Sequence, residues 1–390
     1  MSPHFLADEE HGARKKRRDE SKACYLGSST ERFEVSGLMA DQLIPVELVF
    51  NPNWWYRTAG ISFDESFYFD PTMRIRNDVI MRRVLHERFG EMGMGEADPQ
   101  PRPIIGSQHV AGGFIIPALM GAEIRFEKDA APQPMPLHMD AAQIEAFEKP
   151  DFRTTWPMNL FIEQMDVLEE MWGYVVGDMN TDGLLNAAYH FYGQDLFIDF
   201  YMAPDRVRRF LDIIGELIVD VALYLRERTG AVSISVNRMV EHVDPLMFFH
   251  ANCSVQMISP SSYREMQLPI EQRMAARIQP YGIHHCGSNL HKLAPAYAEL
   301  PLTMAGVGWG SDIAAVREAL PGVFLNLRLS PVRMLQATPR EIAADTEKLL
   351  QAAGPLENVG VCCINMDYGT PDENIYAMYE VVQRFRNLGK

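Results

Sequence analysis

His284 and Cys286 stand two residues apart in Gly282-Ile-His-His-Cys-Gly-Ser-Asn289, where a short apolar run gives way to a loop. On an extended strand, residues two apart point to the same side. An imidazole and a thiolate facing one point make half of a zinc site. Gly287 lets the chain turn away without a side chain crowding that point. A second thiol pair, in Val361-Cys-Cys-Ile-Asn365, ends the last apolar run. A thiolate from Cys362 or Cys363 closes a His/Cys/Cys set, and three protein ligands leave one tetrahedral position open, as in catalytic zinc sites. The competing reading is plain burial: cysteine is among the most buried residue types, and a strand-end histidine is often a hydrogen-bonded core residue. Spacing alone does not separate the two.

Other groups are weaker. His285 points away from its two neighbours and reads as a packed histidine. Glu241, His242 and Asp244 cluster after an apolar run and could supply a general acid or orient a ligand; a solvated loop fits them equally well. Asn53-Trp-Trp-Tyr-Arg57 follows the first apolar run, so its aromatics either wall an apolar substrate or simply pack.

These residues need strands that end together. Residues 45–50, 174–177, 232–236, 281–285, 302–307, 323–329 and 359–364 read as strands. Helical spacing marks residues 75–93, and helices open at Pro204, reaching about residue 228, and at Ser259-Pro260, reaching about 278. Asn51-Pro-Asn53 reads as a turn and residues 122–126 as part of an inserted hairpin. Thr338-Pro-Arg-Glu341 and Thr370-Pro-Asp-Glu373 both have the capping-box form. Alternation of strand and helix implies a parallel sheet, and over this length a single closed (β/α)₈ barrel is expected, with an open doubly wound sheet as the alternative. No G-x-G-x-x-G follows a strand, so nothing supports a dinucleotide fold. The active site of such a barrel lies at the strands' C-terminal ends, where both thiol motifs fall.

Composition sets the bounds. The 390 residues are 47% hydrophobic and 23% charged, enough for one large core. Residues 1–40 are polar and aperiodic and read as an N-terminal arm or tail; residues 41–390 form the barrel. The net charge of −16 repels phosphate backbones and argues against a nucleic-acid partner. The basic run at 14–18 reads as a solvated tail. No apolar run reaches membrane length, and Met1-Ser-Pro-His-Phe5 leads into no apolar signal core, so a cytoplasmic protein is expected. The five cysteines, including Cys24, are odd in number and suggest free thiols or metal ligands rather than a disulfide framework.

His284-His-Cys-Gly287 resembles the H-x-C-G zinc motif of the corrinoid-dependent methyltransferases in the uroporphyrinogen decarboxylase-like superfamily. Further segments match in order: 193–204 before a long helix, Ile258-Ser-Pro260 with Tyr263-Arg-Glu265 and Leu268-Pro269, Leu325-Asn-Leu-Arg-Leu-Ser-Pro331 at a "GNIDP"-like strand end, and Thr370-Pro-Asp-Glu-Asn374 at the closing "TPxEN". The similarity covers roughly residues 45–390. It implies zinc held by His284, Cys286 and one of the final pair, Cys363 by preference as nearer the strand's end, with Cys362 the alternative. The gap from that cysteine to Thr370 is longer than in the family pattern. His250-Ala-Asn-Cys-Ser254 falls on a substrate-facing segment of the relatives, so Asn252 and Cys253 are expected to line the pocket, and Cys253 could reach the metal. The resemblance implies methyl transfer between a small methylated substrate, such as a methyl ether, and a corrinoid (cobalamin) on a partner protein, since no D-x-H-x-x-G segment holds one here. Transfer to a thiol is a second form. A metal-free decarboxylase of a tetrapyrrole is the alternative, although the decarboxylases' "RQAGR" signature is reduced here to Arg57. Barrels of this group often pair, so a homodimer is an open expectation.

Overall fold

The computed structural model describes residues 43–106, 110, 112–231 and 247–388. The arm at 1–40, the strand expected at 232–236, and Glu241, His242 and Asp244 lie outside the described residues.

Ten strands are present among them: β1 (Val46–Phe50), β2 (Ile104–Gly106), β3 (Ile124–Arg125), β4 (Gln133–Pro134), β5 (Val176–Asp178), β6 (Phe248–Ala251), β7 (Tyr281–His285), β8 (Leu302–Val307), β9 (Phe324–Leu329) and β10 (Val359–Met366). Six form a curled parallel sheet in the order β1-β10-β9-β8-β7-β6, β2 pairs with β5 in parallel, and β3 with β4 makes the small antiparallel hairpin. Helices follow the strands, as near-continuously buried parallel strands require. β6 through β9 carry almost nothing exposed, because helices cover one face and the sheet curls around the other. The 26-residue helix Pro204–Thr229 has Pro at its start and Gly230 in the left-handed conformation at its end. No helix among the described residues is long and apolar enough to cross a membrane.

Three expectations change. Asn51-Pro-Asn53 is not a free turn but the start of helix Pro52–Ala59, with Pro at its first position and Asn51 Nδ2 donating to Asp367 and to the Asn365 carbonyl. The helix expected to about 278 is two, Pro260–Met266 and Leu268–Arg277, because Pro269 cannot donate back across the join. The capping box forms at Thr338 but not at Thr370, whose hydroxyl has no hydrogen-bond partner. Of the two readings of the aromatic run, packing is the one the tryptophans take: Trp54 and Trp55 are 2% and 0% exposed, and Trp54 stacks on Phe50 with ring centroids 4.0 Å apart.

The register sorts the sheet's two faces. Glu47 pairs with Cys362 and Cys362 with Arg328, while Leu48 pairs with Cys363 and Cys363 with Leu329. Neighbours in register share a face and alternate along each strand. Cys363 therefore belongs with Leu48, Leu329 and the large core under the helices, whereas Cys362 packs in a small inner cluster with Val49 and Ile364. On the same rule His284 shares a face with Ala251, its partner on β6, and with Cys286, two residues on.

Candidate metal centre

Cys253, His284 and Cys286 converge where β6 and β7 end. Their ligand atoms all lie within 4.8 Å of one another. Cys253 Sγ is 2.9 Å from Cys286 Sγ, and His284 Nε2 is 2.8 Å from the same sulfur. Two sulfurs bound to one zinc sit about 3.8 Å apart, so the thiols would part by under about an ångström to admit the ion. Two half-buried thiols and a buried imidazole are a donor set that suits zinc. Phe249 packs edge-on to His284, ring centroids 6.1 Å apart, and holds its ring plane.

Local sequence explains the convergence. β6 and β7 are adjacent and in register, Ala251 opposite His284, so Cys253 and Cys286 follow side by side. Gly183 has no Cβ; one would lie 1.7 Å from the Ala251 carbonyl oxygen. The loop after β5 can thus lie against β6. Asn186 clamps it, accepting from Ser254 N–H at 2.8 Å and donating to Asp182 Oδ1 at 2.8 Å. This brings Asp182, in the left-handed region at φ 64°, close to the thiols.

The charges are ordered. The S–H of Cys253 donated to it, with His284 and Arg328 nearby, holds the Cys286 thiol well below the ordinary range, against its burial. Cys253, as the donor, is pushed well up, and its burial adds to this. Burial raises Asp182 to about 6, opposed by its bonds from Asn186 and Gly183 and helped by the nearby Cys286 charge. In reduced, metal-free protein, iodoacetamide at neutral pH is therefore expected to modify Cys286 about tenfold or more faster than Cys253, because only the thiolate attacks. Zinc should protect both. Peptide mass spectrometry reads the result, and equal labelling of the two would contradict this ordering.

The remaining expected site residues fall elsewhere. Cys362 and Cys363 do not join the group. Cys363 is fully buried among apolar side chains, which pushes its thiol up to about 12. Asn252, expected in the pocket, is 1% exposed and spent on a buried network: it donates to Glu271 Oε1 at 2.7 Å and accepts from Gln267 Nε2 at 2.7 Å. His285 is a packed residue, bonded to Tyr297 Oη and Asn289 Oδ1 at 3.0 Å each. Arg57 is exposed and lies over the Tyr368 ring, 5.8 Å from its centroid.

Sequence reasoning missed Asp182, Glu271 and Arg328. Asn180-Thr-Asp-Gly183 directly after a strand, and an arginine inside the apolar run Phe324–Leu329, were the available signals. Glu271 sits on a helix at helical spacing and gave none.

His250, 0% exposed, lies beneath this network with its Nε2 3.6 Å from Glu271 Oε1. Burial lowers it from 6.5 to about 3. The folded protein thus binds fewer protons than the unfolded chain between those values, and its stability is lost as pH falls through that window at roughly 1.4 kcal/mol per unit. A His250→Leu variant should lack this slope. Urea unfolding from pH 7 to 4 would then find the parent's stability falling relative to the variant's.

The model of the family described as Uroporphyrinogen decarboxylase (URO-D) matches residues 113–385. No curated protein matches the chain. Among solved structures, it is similar to a methyltransferase from Methanosarcina mazei, at 17% identity and a TM-score of 0.62, over 90% of this chain and 96% of that one. A B12-independent methionine synthase from Shewanella sp. W3-18-1 matches at 11% identity and a TM-score of 0.49, over 88% and 99% of the two chains. The first of these likenesses is one of fold.

Proposed function

The chain belongs to the uroporphyrinogen decarboxylase family, and from that premise we propose that it is a zinc-dependent methyltransferase, moving a methyl group between a small methylated substrate and a corrinoid carried by a separate protein. The convergence of Cys253, His284 and Cys286 carries the reading. The family's decarboxylases need no metal, and two thiols beside an imidazole have no evident task in decarboxylation. A fold-mate described as a methyltransferase agrees. In this reading the six-stranded and two-stranded parallel sheets are arcs of one (β/α)₈ barrel, with the site at its C-terminal face, and the free thiols suit a cytoplasmic setting.

Zinc bound by the two thiolates and His284 would supply Lewis acidity at the heteroatom that carries or accepts the methyl group. The chain's own residues prepare that point. Cys286 is poised as thiolate before any metal arrives, so loading it costs little proton release. Glu271, through Asn252, fixes the end of β6 and with it Cys253. Asp182 keeps Oδ1 for Gly183 N–H and Asn186, which leaves Oδ2 to exchange a proton with a departing oxygen. That proton supply favours demethylation of a methyl ether over transfer to a thiol. Trp54 and Trp55 add nothing to this choice, since both are core.

Metal analysis and a corrinoid assay test this together. About one zinc per chain is expected, lost in Cys286→Ala, with zinc-dependent formation or decay of a methylated corrinoid, followed by absorbance. A protein that takes no zinc, or that leaves both corrinoid states untouched across a panel of methyl ethers and thiols, would sink it. The family model's own description favours a second reading, decarboxylation of a tetrapyrrole. Full decarboxylase activity in Cys286→Ala would establish that instead.

A further inference from the structure

We infer that Arg328 is an anion subsite, and that the small substrate carries a carboxylate in addition to the heteroatom that meets the metal. This deepens the methyl-transfer reading and rests on it.

Four arginines are buried among the described residues: Arg74, Arg82, Arg328 and Arg386, at 2%, 5%, 9% and 6% exposure. Three are hydrogen-bonded through two or three of their nitrogens, although Arg74 Nε and Arg386 Nη1 have no partner. Arg74 donates to the Ile104 and Tyr68 carbonyls and to Gln164. Arg82 pairs with Asp78 and Glu96. Arg386 donates to the carbonyls of Leu43 and Ile44. Arg328 stands apart: its Nε is buried without a partner, and no nitrogen of its guanidinium hydrogen-bonds or pairs with a carboxylate among the described residues. Burying a guanidinium N–H with nothing to receive it is costly, and proteins retain such a group where something else completes it.

Its position says what. Arg328 lies on the inner face near the C-terminal end of β9, in register with Cys362. Cys286 follows the His285–Val307 pair of β7 and β8, and Arg328 follows the Val307–Leu327 pair of β8 and β9. The two residues are thus level and one strand apart, about 10 Å between backbones. Arg328 is close enough to lower both Cys253 and Cys286. Once a dication takes the thiolates, their charge is met, and the guanidinium is left for another anion. Glu47, level with Arg328 across β10, accepts from Asn326 Nδ2 at 3.2 Å. The planar fork of arginine matches a carboxylate through two parallel hydrogen bonds. The spacing suits a short molecule, a few carbons between the metal-bound heteroatom and the carboxylate.

Titration calorimetry with two probes tests this: 3-mercaptopropionate, and 3-mercaptopropanol, in which a hydroxyl replaces the carboxylate. Metal-loaded parent should bind the acid about tenfold or more tighter than the alcohol. In Arg328→Met the ratio should fall to about one with metal content retained, and Arg328→Lys, with charge but no fork, should lie between. Equal affinities in the parent would overturn the proposal, and so would a preference that survives in Arg328→Met; the parent comparison decides even where a variant fails to fold. Repeating the titrations without metal separates this claim from the one beneath it. The acid-to-alcohol ratio reports Arg328, whereas a joint fall of both affinities reports the metal, so either can fail alone.

Discussion

Replacing Cys253 with alanine is expected to strip the metal centre as thoroughly as replacing Cys286. Removing a group that merely orients a ligand costs 10- to 100-fold in metal affinity, so removing a ligand should cost about a hundredfold or more. Cys363→Ala and Cys362→Ala should keep the parent's zinc content, and Cys363→Ala should instead cost about 1–2 kcal/mol of stability for the space it leaves in the core. Sheet order is the reason. β6 is next to β7, so Cys253 stands beside Cys286 at 2.9 Å between sulfurs. β10 is separated from β7 by β8 and β9, and Cys363 faces the helix layer besides, its thiol held protonated by burial. Chelator competition followed by elemental analysis measures all four variants. Zinc lost from Cys363→Ala or Cys362→Ala but kept in Cys253→Ala would return the third ligand to β10.

That contrast marks what the sequence could and could not tell. His284 and Cys286 were legible because a two-residue period is a local property, read without knowing any partner strand. The strands from β7 onward were legible for a similar reason: buried parallel strands are short unbroken apolar runs between helix caps. The third member of the group depends on which strands are neighbours, and adjacency is not local. The cysteine pair on β10 attracted attention by its place in the chain order, while Cys253 entered only as a further candidate through the resemblance until the β6–β7 register set it beside Cys286. Thr370-Pro-Asp-Glu373 and Asn51-Pro-Asn53 show the complementary limit. Each string marks a helix start, but in place of the turn expected at 51–53 and without the capping box expected at Thr370, because the packing of Asn374 onto the Met334 and Ala337 carbonyls, and of Asn51 onto Asp367, decided which groups were used. The aromatic run at 53–56 was ambiguous from the start, and the demand for a core beneath β1 claimed both tryptophans.

Glu271→Ala is expected to cost about 3–5 kcal/mol of stability, more than any surface change in this chain, because it removes the centre of a fully buried polar network. Glu271 is 0% exposed and receives Asn252 Nδ2 and Gln267 Nε2 on one oxygen, at 2.7 and 2.6 Å, and Tyr263 Oη on the other at 2.6 Å. Alanine would strand three donors away from water, and each stranded donor carries its own desolvation penalty. Glu271→Gln should be far milder, since burial already raises the carboxyl above its ordinary value and the amide resembles the protonated acid. The sign in pH follows from that direction. The folded protein holds this proton more tightly than the unfolded chain, so stability falls as pH rises through the window above the ordinary carboxylate value, and Glu271→Gln should lose that fall. Urea unfolding of the metal-free proteins measures both effects. The network also reaches the candidate metal site, because Asn252 precedes Cys253 and its side chain is what Glu271 holds. Zinc affinity should then drop in Glu271→Ala by about tenfold, as for other groups that orient a ligand, and hold in Glu271→Gln. If Glu271→Ala unfolds at the parent's urea concentration and binds zinc as tightly, the network is inert and the end of β6 is held in place by the Gly183 and Asn186 contacts alone.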